Sequence, residues 1–147
     1  MSDDVPLRAL ELFDGGLYCA ESVLLAMSEA RAVTNDAIPR IATGLCSGMA
    51  GTCGMCGAVS GAILGIGLAV GRQTAEGTIE PAYSRVGSLI ASFQGLHGSV
   101  NCHELIECDL GTQEGQRSFV EENRNERCRH YVEDAARIAQ GLVDSAP

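Results

Sequence analysis

A chain of 147 residues is the usual size of one domain, so a single hydrophobic core is expected across residues 1–147. The composition is 46% hydrophobic but only 4% aromatic, with no Trp, which leaves Ala, Leu, Ile, Val and Met to fill an interior of closely packed helices. A formal net charge of -9 speaks against nucleic acid and anionic membrane as partners, because both reward clustered Lys and Arg.

The first residues, MSDDVPLRALELF, are acidic and then amphipathic. They lack the basic start, apolar run and small-residue cleavage site of a secretory signal, so a cytoplasmic location is expected. Val5 to Phe13 reads as a short amphipathic helix stopped by Asp14, Gly15 and Gly16. From Cys19 the apolar residues Val23, Ala26, Met27 and Ala30 recur at helical spacing, which puts Cys19 on the core face. Asn35 and Asp36 predict the cap of a further short helix through Ile41, with Pro39 in its first turn.

Leu45 to Gly71 holds no charged residue, long enough to raise the question of a membrane span. Its first part, CSGMAGTCGM, reads as a Gly-rich loop, and only Gly57 to Val70 reads as helix, too short to cross hydrocarbon. No membrane insertion is therefore expected. Gly57, Gly61 and Gly65 stand four apart on one face, which predicts a buried central helix approached closely by another backbone. Ala82 to Leu96 carries a helical stripe at Tyr83, Val86, Leu89, Ile90 and Phe93, and Gly98 ends it. Ser99 and Asn101 signal a short helix over Cys102 to Glu107, followed by a polar stretch around Gly111 to Gly115. The last helix is expected from near Gln116 to about Leu142, with its clearest stripe at Cys128, Tyr131, Val132, Ala135, Ala139 and Leu142. No segment alternates as a strand would. The expected fold is all-α, a compact helical bundle around the Gly-rich central helix.

Seven cysteines in a cytoplasmic chain suggest metal ligands or redox thiols rather than a disulfide framework, and the odd number agrees. Cys19, Cys56 and Cys102 fall at or just before expected helix starts, and Cys128 opens the stripe of the last helix. Backbone N–H groups and the positive end of a helix dipole favour a thiolate there, preparing it as nucleophile or ligand. Free Cys also packs well as a small hydrophobe, but four in matching places favour a shared role. Their spacing is too wide for a local zinc or ferredoxin motif.

The stretches CAESVL from Cys19, MCGAVSGAILGIGL around Cys56, HGSVNCHELI around Cys102 and CRHYVEDAARIA from Cys128 resemble the redox-active protein family named for its C_GCAxxG_C_C cysteine pattern. The likeness spans residues 19–140. It implies that Cys19, Cys56, Cys102 and Cys128 are the family's four cysteines, and that Cys56, Gly57, Ala58 and Gly61 form its CGAxxG element. The pattern also resembles the cysteine domain of split-Soret cytochromes, for which an iron–sulfur centre with four cysteine ligands has been proposed. In this chain Cys46 and Cys53 stand where the family suggests glycine, and His103 where it suggests arginine. Cys53-Gly-Met-Cys56 therefore makes an additional CxxC, although the βαβ setting of thioredoxin-like dithiols is absent.

These residues support three readings. The preferred one gathers Cys19, Cys56, Cys102 and Cys128 around one iron–sulfur cluster, expected to be [2Fe–2S], for electron transfer or redox sensing. It implies a redox partner protein, is compatible with a homodimer and needs no substrate pocket. The alternative is a metal-free thiol–disulfide protein using Cys53 with Cys56 or pairs of the family cysteines. The third is a structural zinc site. Cys108 lies off the face of Cys102 and reads as incidental. A covalent c-type haem is excluded at Cys53–Cys56, because Gly57 stands where CxxCH needs His. His97 and His130 read as solvated or capping residues, as does His103, although its position beside Cys102 leaves a path to a metal. Glu104, Glu107 and Asp134 read as surface charges on helices.

Overall fold

The computed structural model describes residues 4–145. Helix α1, Val5–Asp14, starts where the Asp4 carboxylate accepts from the Leu7 N–H at 3.0 Å, with Pro6 in the first turn, where its missing N–H costs nothing. Helix α2, Cys19–Ala30, is followed by turns over 36–39 and a 3-10 helix, Arg40–Leu45. The capped α-helix expected from Asn35 through Ile41 does not form. Asn35 instead closes a turn by accepting from the Ala37 N–H at 2.8 Å, and Pro39 precedes the 3-10 helix rather than entering a first turn.

The stretch read as a Gly-rich loop contains a short left-handed turn of helix, α3, Cys46–Gly51. Ser47, Gly48, Met49 and Ala50 all have φ between 58° and 64°. Helix α4, Gly57–Val70, has the expected bounds, and α5, Glu80–His97, stops at Gly98 with φ 83°, a conformation that glycine adopts without penalty. Helix α6, Cys102–Ile106, is a single turn and ends on Glu107 at φ 58°.

The expected polar stretch and single last helix become two helices. Thr112 caps α7, Gln113–Glu121, by accepting from the Gly115 N–H at 2.9 Å, and α8 runs Asn125–Asp144. Asn123 breaks the run at φ 50°, a left-handed conformation that Asn tolerates better than most residues. The all-α expectation holds: among the described residues the single extended pairing is the Met55–Asn101 bridge. No helix of the described residues is long and apolar enough to cross a membrane.

The core joins Val23, Ala26 and Met27 of α2, Val59, Ala62 and Ile66 of α4, Leu89 and Phe93 of α5, and Val132, Ala135, Ala136 and Ala139 of α8, with Val5 and Ala9 of α1 at one edge. Alanine dominates because the helices approach closely, and glycine sets the limit of that approach. A Cβ on Gly61 would lie 2.4 Å from the Ala20 carbonyl oxygen and 2.9 Å from the Ala20 Cα. One on Gly65 would lie 2.2 Å from the Met27 sulfur. The α4 glycine face thus carries α2, with both helices starting at the same end of the bundle. The far end of α4 is less enclosed, with Gly67 and Leu68 exposed.

Replacing Gly61 by Leu forces a side chain into the Ala20 backbone, which cannot swing aside as a side chain can. The expected outcome is a loss of about 1 to 3 kcal/mol, read from urea unfolding, and a lower melting temperature. Parent-like melting of Gly61→Leu would show that the helices do not meet there.

Candidate functional site

Cys19, Cys56, Cys102 and Cys128 come from four separate elements and all line one cavity of about 570 Å³. Cys46 lines it too, and its walls are otherwise largely apolar, with Phe13, Leu105, Ile106, Phe119 and Tyr131 among them. None of the seven cysteines is in a disulfide.

Local backbone bonds fix each sulfur. Cys19 opens α2, where the Tyr18 N–H donates to Glu21 at 2.9 Å and the Glu21 carboxylate also accepts from Thr43 at 2.7 Å. That second bond fastens the 3-10 helix, and with it Cys46, to the start of α2. Cys56 is the residue just before α4. Its N–H donates to Val100 at 2.7 Å, while the Cys102 N–H donates to Gly54 at 2.9 Å. These two bonds flank the Met55–Asn101 bridge and clamp Cys56 and Cys102 onto neighbouring chain segments. Gly48 in α3 completes the clamp: a Cβ there would stand 2.5 Å from the Cys102 Cβ.

Cys128 sits in the first turns of α8, facing α6. Three α8-side donors hold the α6 carbonyls: Arg124 on Ile106 at 2.6 Å, Tyr131 on Leu105 at 2.8 Å and Arg127 on Leu105 at 3.4 Å. Arg124 also bonds Glu122 and the Glu107 carbonyl oxygen. The chain pattern offered no signal for these anchors, because each reaches a backbone oxygen distant in sequence.

The helix starts were expected to lower thiol pKa values, and here burial outweighs them. Burial pushes Cys56 up to about 12, although the N–H groups of Val59 and Ala58 pull the other way. Burial likewise pushes Cys128 up to about 12 and Cys102 up to about 11, with neighbouring thiols adding to the rise. Cys46 is raised through its contact with Cys19 and by burial. Among the described residues, no three Cys, His, Asp or Glu side chains are grouped closely enough to hold one metal ion. The thiols are spread over cavity walls rather than drawn to a point.

The extra cysteines are placed less incidentally than their sequence context suggests. Cys46 abuts Cys19, and Cys53 and Cys108 both lie near enough to Cys102 for charge to be felt. Cys53 has Asp109 against it and does not line the cavity, whereas the thiols around Cys56 are Cys128 and Cys102. Two surface readings change as well. The His97 Nε2 lies 2.7 Å from the Asp134 carboxylate, and both side chains are below one-fifth exposed. The His97 ring also packs on Phe93 and Tyr131, so this pair ties α5 to α8 behind the cavity. Glu104 is exposed, as expected, but its carboxylate accepts from Asn101 and Ser99 at the start of α6 and is held below the usual range by those bonds.

Comparison with known proteins gives a concordant result. The family model described as "Putative redox-active protein (C_GCAxxG_C_C)" matches residues 17–142. An uncharacterized protein of Archaeoglobus fulgidus is 29% identical over 124 residues, covering 78% of this chain and 82% of the relative. No solved structure matches.

With Cys102 near 11 and Cys56 and Cys128 near 12, the thiolate fraction is small at neutral pH and grows as pH rises toward those values. Iodoacetamide labelling of these three in the metal-free protein, followed by peptide mass spectrometry, should accelerate about tenfold per pH unit from pH 7 to 10. A rate that levels off below pH 9 would mean that helix N-termini, not burial, control the site.

Proposed function

The chain belongs to the C_GCAxxG_C_C family of redox-active proteins, and from that premise we propose that Cys19, Cys56, Cys102 and Cys128 hold one iron–sulfur cluster for electron transfer or redox sensing. The observation that carries this reading is the meeting of the four cysteines, from four elements, on the wall of one largely apolar cavity.

The donor set is all sulfur, the preference of iron–sulfur clusters and of soft metals generally. A single zinc ion held by the same four sulfurs is the competing reading. For the cluster, the two-iron form is the expected one. When bound, such a cluster supplies a one-electron couple. The protein's own contribution is to exclude water with Phe13, Leu105, Ile106 and Phe119, and to aim the N-terminal ends of α2, α4 and α8 at a group whose thiolates carry negative charge. The raised pKa values of Cys56, Cys102 and Cys128 fit ligands that lose their protons to a metal better than attacking thiols, which work through lowered values. The same argument counts against Cys53 with Cys56 as a dithiol, since burial raises both thiols and Asp109 raises Cys53 further.

Anaerobically purified or reconstituted protein should be brown, with visible absorption and iron and sulfide in near-equal amounts. Cys19→Ser, Cys56→Ser, Cys102→Ser and Cys128→Ser should each lose most of that absorption, while Cys53→Ser and Cys108→Ser keep it. Colourless parent protein that binds one zinc would replace the cluster with a structural ion. Retained iron in Cys102→Ser together with loss in Cys53→Ser would move the site to the turn around α3.

A further inference from the structure

The geometry points to Cys19 and Cys46 as a second redox element in this chain, a dithiol that closes to a disulfide and thereby withdraws Cys19 from the cavity wall.

Three observations place the pair. Gly57 packs against both cysteines at once: a Cβ on it would lie 2.4 Å from the Cys19 sulfur and 3.2 Å from the Cys46 Cα. The Cys19 sulfur is therefore held close to the Cys46 backbone. Cys19 also packs against the small buried cluster that contains Cys46, whose thiol reaches the Ala42 carbonyl oxygen at 3.7 Å. Finally, the Thr43–Glu21 bond at 2.7 Å locks the 3-10 helix that leads into Cys46 onto the start of α2. The residues differ in access. Cys19 is partly exposed, and Cys46, which lines the same cavity, is 4% exposed. That is the arrangement of an attacking thiol with a resolving partner.

A small disulfide such as oxidised glutathione serves as the oxidant. The Cys19 sulfur, having given up its proton, attacks one sulfur of that disulfide, its S–S bond breaks, and one small thiol leaves. The Cys46 sulfur, losing its proton in turn, attacks the Cys19 sulfur of the mixed disulfide and expels the second small thiol. Two protein thiols are oxidised, one small disulfide is reduced to two thiols, and the two protons finish on those thiols. Reduction by a thiol runs the same steps backwards. The couple stands on its own geometry, whereas its effect on iron loading rests on the cluster reading above.

The test uses the full chain, reduced and metal-free, equilibrated anaerobically with glutathione at increasing ratios of oxidised to reduced form. Remaining thiols are then trapped by alkylation. Trypsin leaves Cys19 in peptide 9–31 and Cys46 in peptide 41–72, and fragmentation of the linked pair assigns the bridge within the second peptide. The Cys19–Cys46 bridge should form before any other. The oxidised parent should then take up at least about tenfold less iron and sulfide than the reduced parent, while Cys46→Ser loads equally after either treatment. Cys46→Ala serves in its place if the Ser variant does not fold. Cys19 recovered as alkylated thiol after other cysteines have bridged, or bridged to a cysteine other than Cys46, would overturn the couple. A reduced parent that takes up no iron sinks the cluster reading alone, because the bridge map still decides for or against the couple.

Discussion

The structure depends on the absence of side chains along one face of α4. At Gly57, Gly61 and Gly65 there is no room for a Cβ, because the Cys19 sulfur, the Ala20 backbone and Met27 already occupy that space. Two helices that touch backbone to backbone hold each other's axial register closely. Here they start together, which brings Cys19 beside Gly57 and Cys56 to the same end of the bundle. The alanine-rich interior of α8 follows the same logic, since Val132, Ala135, Ala136 and Ala139 are fully buried. Small residues let the backbones converge, and that convergence delivers the cysteines.

The segment before α4 carries the strain of this arrangement. Ser47, Met49 and Ala50 are non-glycine residues at positive φ, each costing about 1–2 kcal/mol relative to ordinary backbone. Compensating bonds hold the turn: the Gly54 N–H donates to Gly48 at 2.8 Å and the Thr52 hydroxyl to Met49 at 2.7 Å. Ser47, Ala50 and Gly51 line the cavity, so the strained turn forms one of its walls. Its geometry also sets Gly48 against Cys102, where a larger residue would push that cysteine away.

Two opposing electrostatic effects meet at the thiols. Helix N-termini favour thiolate, and burial among apolar walls disfavours it; for Cys56, Cys102 and Cys128 burial wins. In the proposed cluster reading a metal would take the proton's place at each sulfur, and the N-terminal ends of α2, α4 and α8 would then stabilise the thiolates. The α6 turn, too short to be stable alone, is kept in place by Arg124, Arg127 and Tyr131 on its carbonyls. The His97–Asp134 pair braces the Tyr131 ring from behind.

What the sequence determined by itself is local and periodic. The 3.6-residue stripes placed α1, α2, α4 and α5 within a few residues, because amphipathic period and glycine stops act over one or two turns. The four-residue glycine spacing announced the close contact on α4, and the family's cysteine order singled out Cys19, Cys56, Cys102 and Cys128. The sequence did not separate α7 from α8, since the break is a three-residue turn, 122–124, with one left-handed residue, Asn123, and a polar helix on one side. Nor did it show the left-handed turn at α3, whose Ser, Met and Ala have no local preference for positive φ and adopt it only under tertiary constraint. Tertiary structure alone decided that Cys46 lies beside Cys19 and that Cys53 has Asp109 near it. It also decided that burial, not the helix dipole, governs Cys56, Cys102 and Cys128. Each of these outcomes depends on what another part of the chain places within a few ångströms, and spacing along one segment carries no record of that.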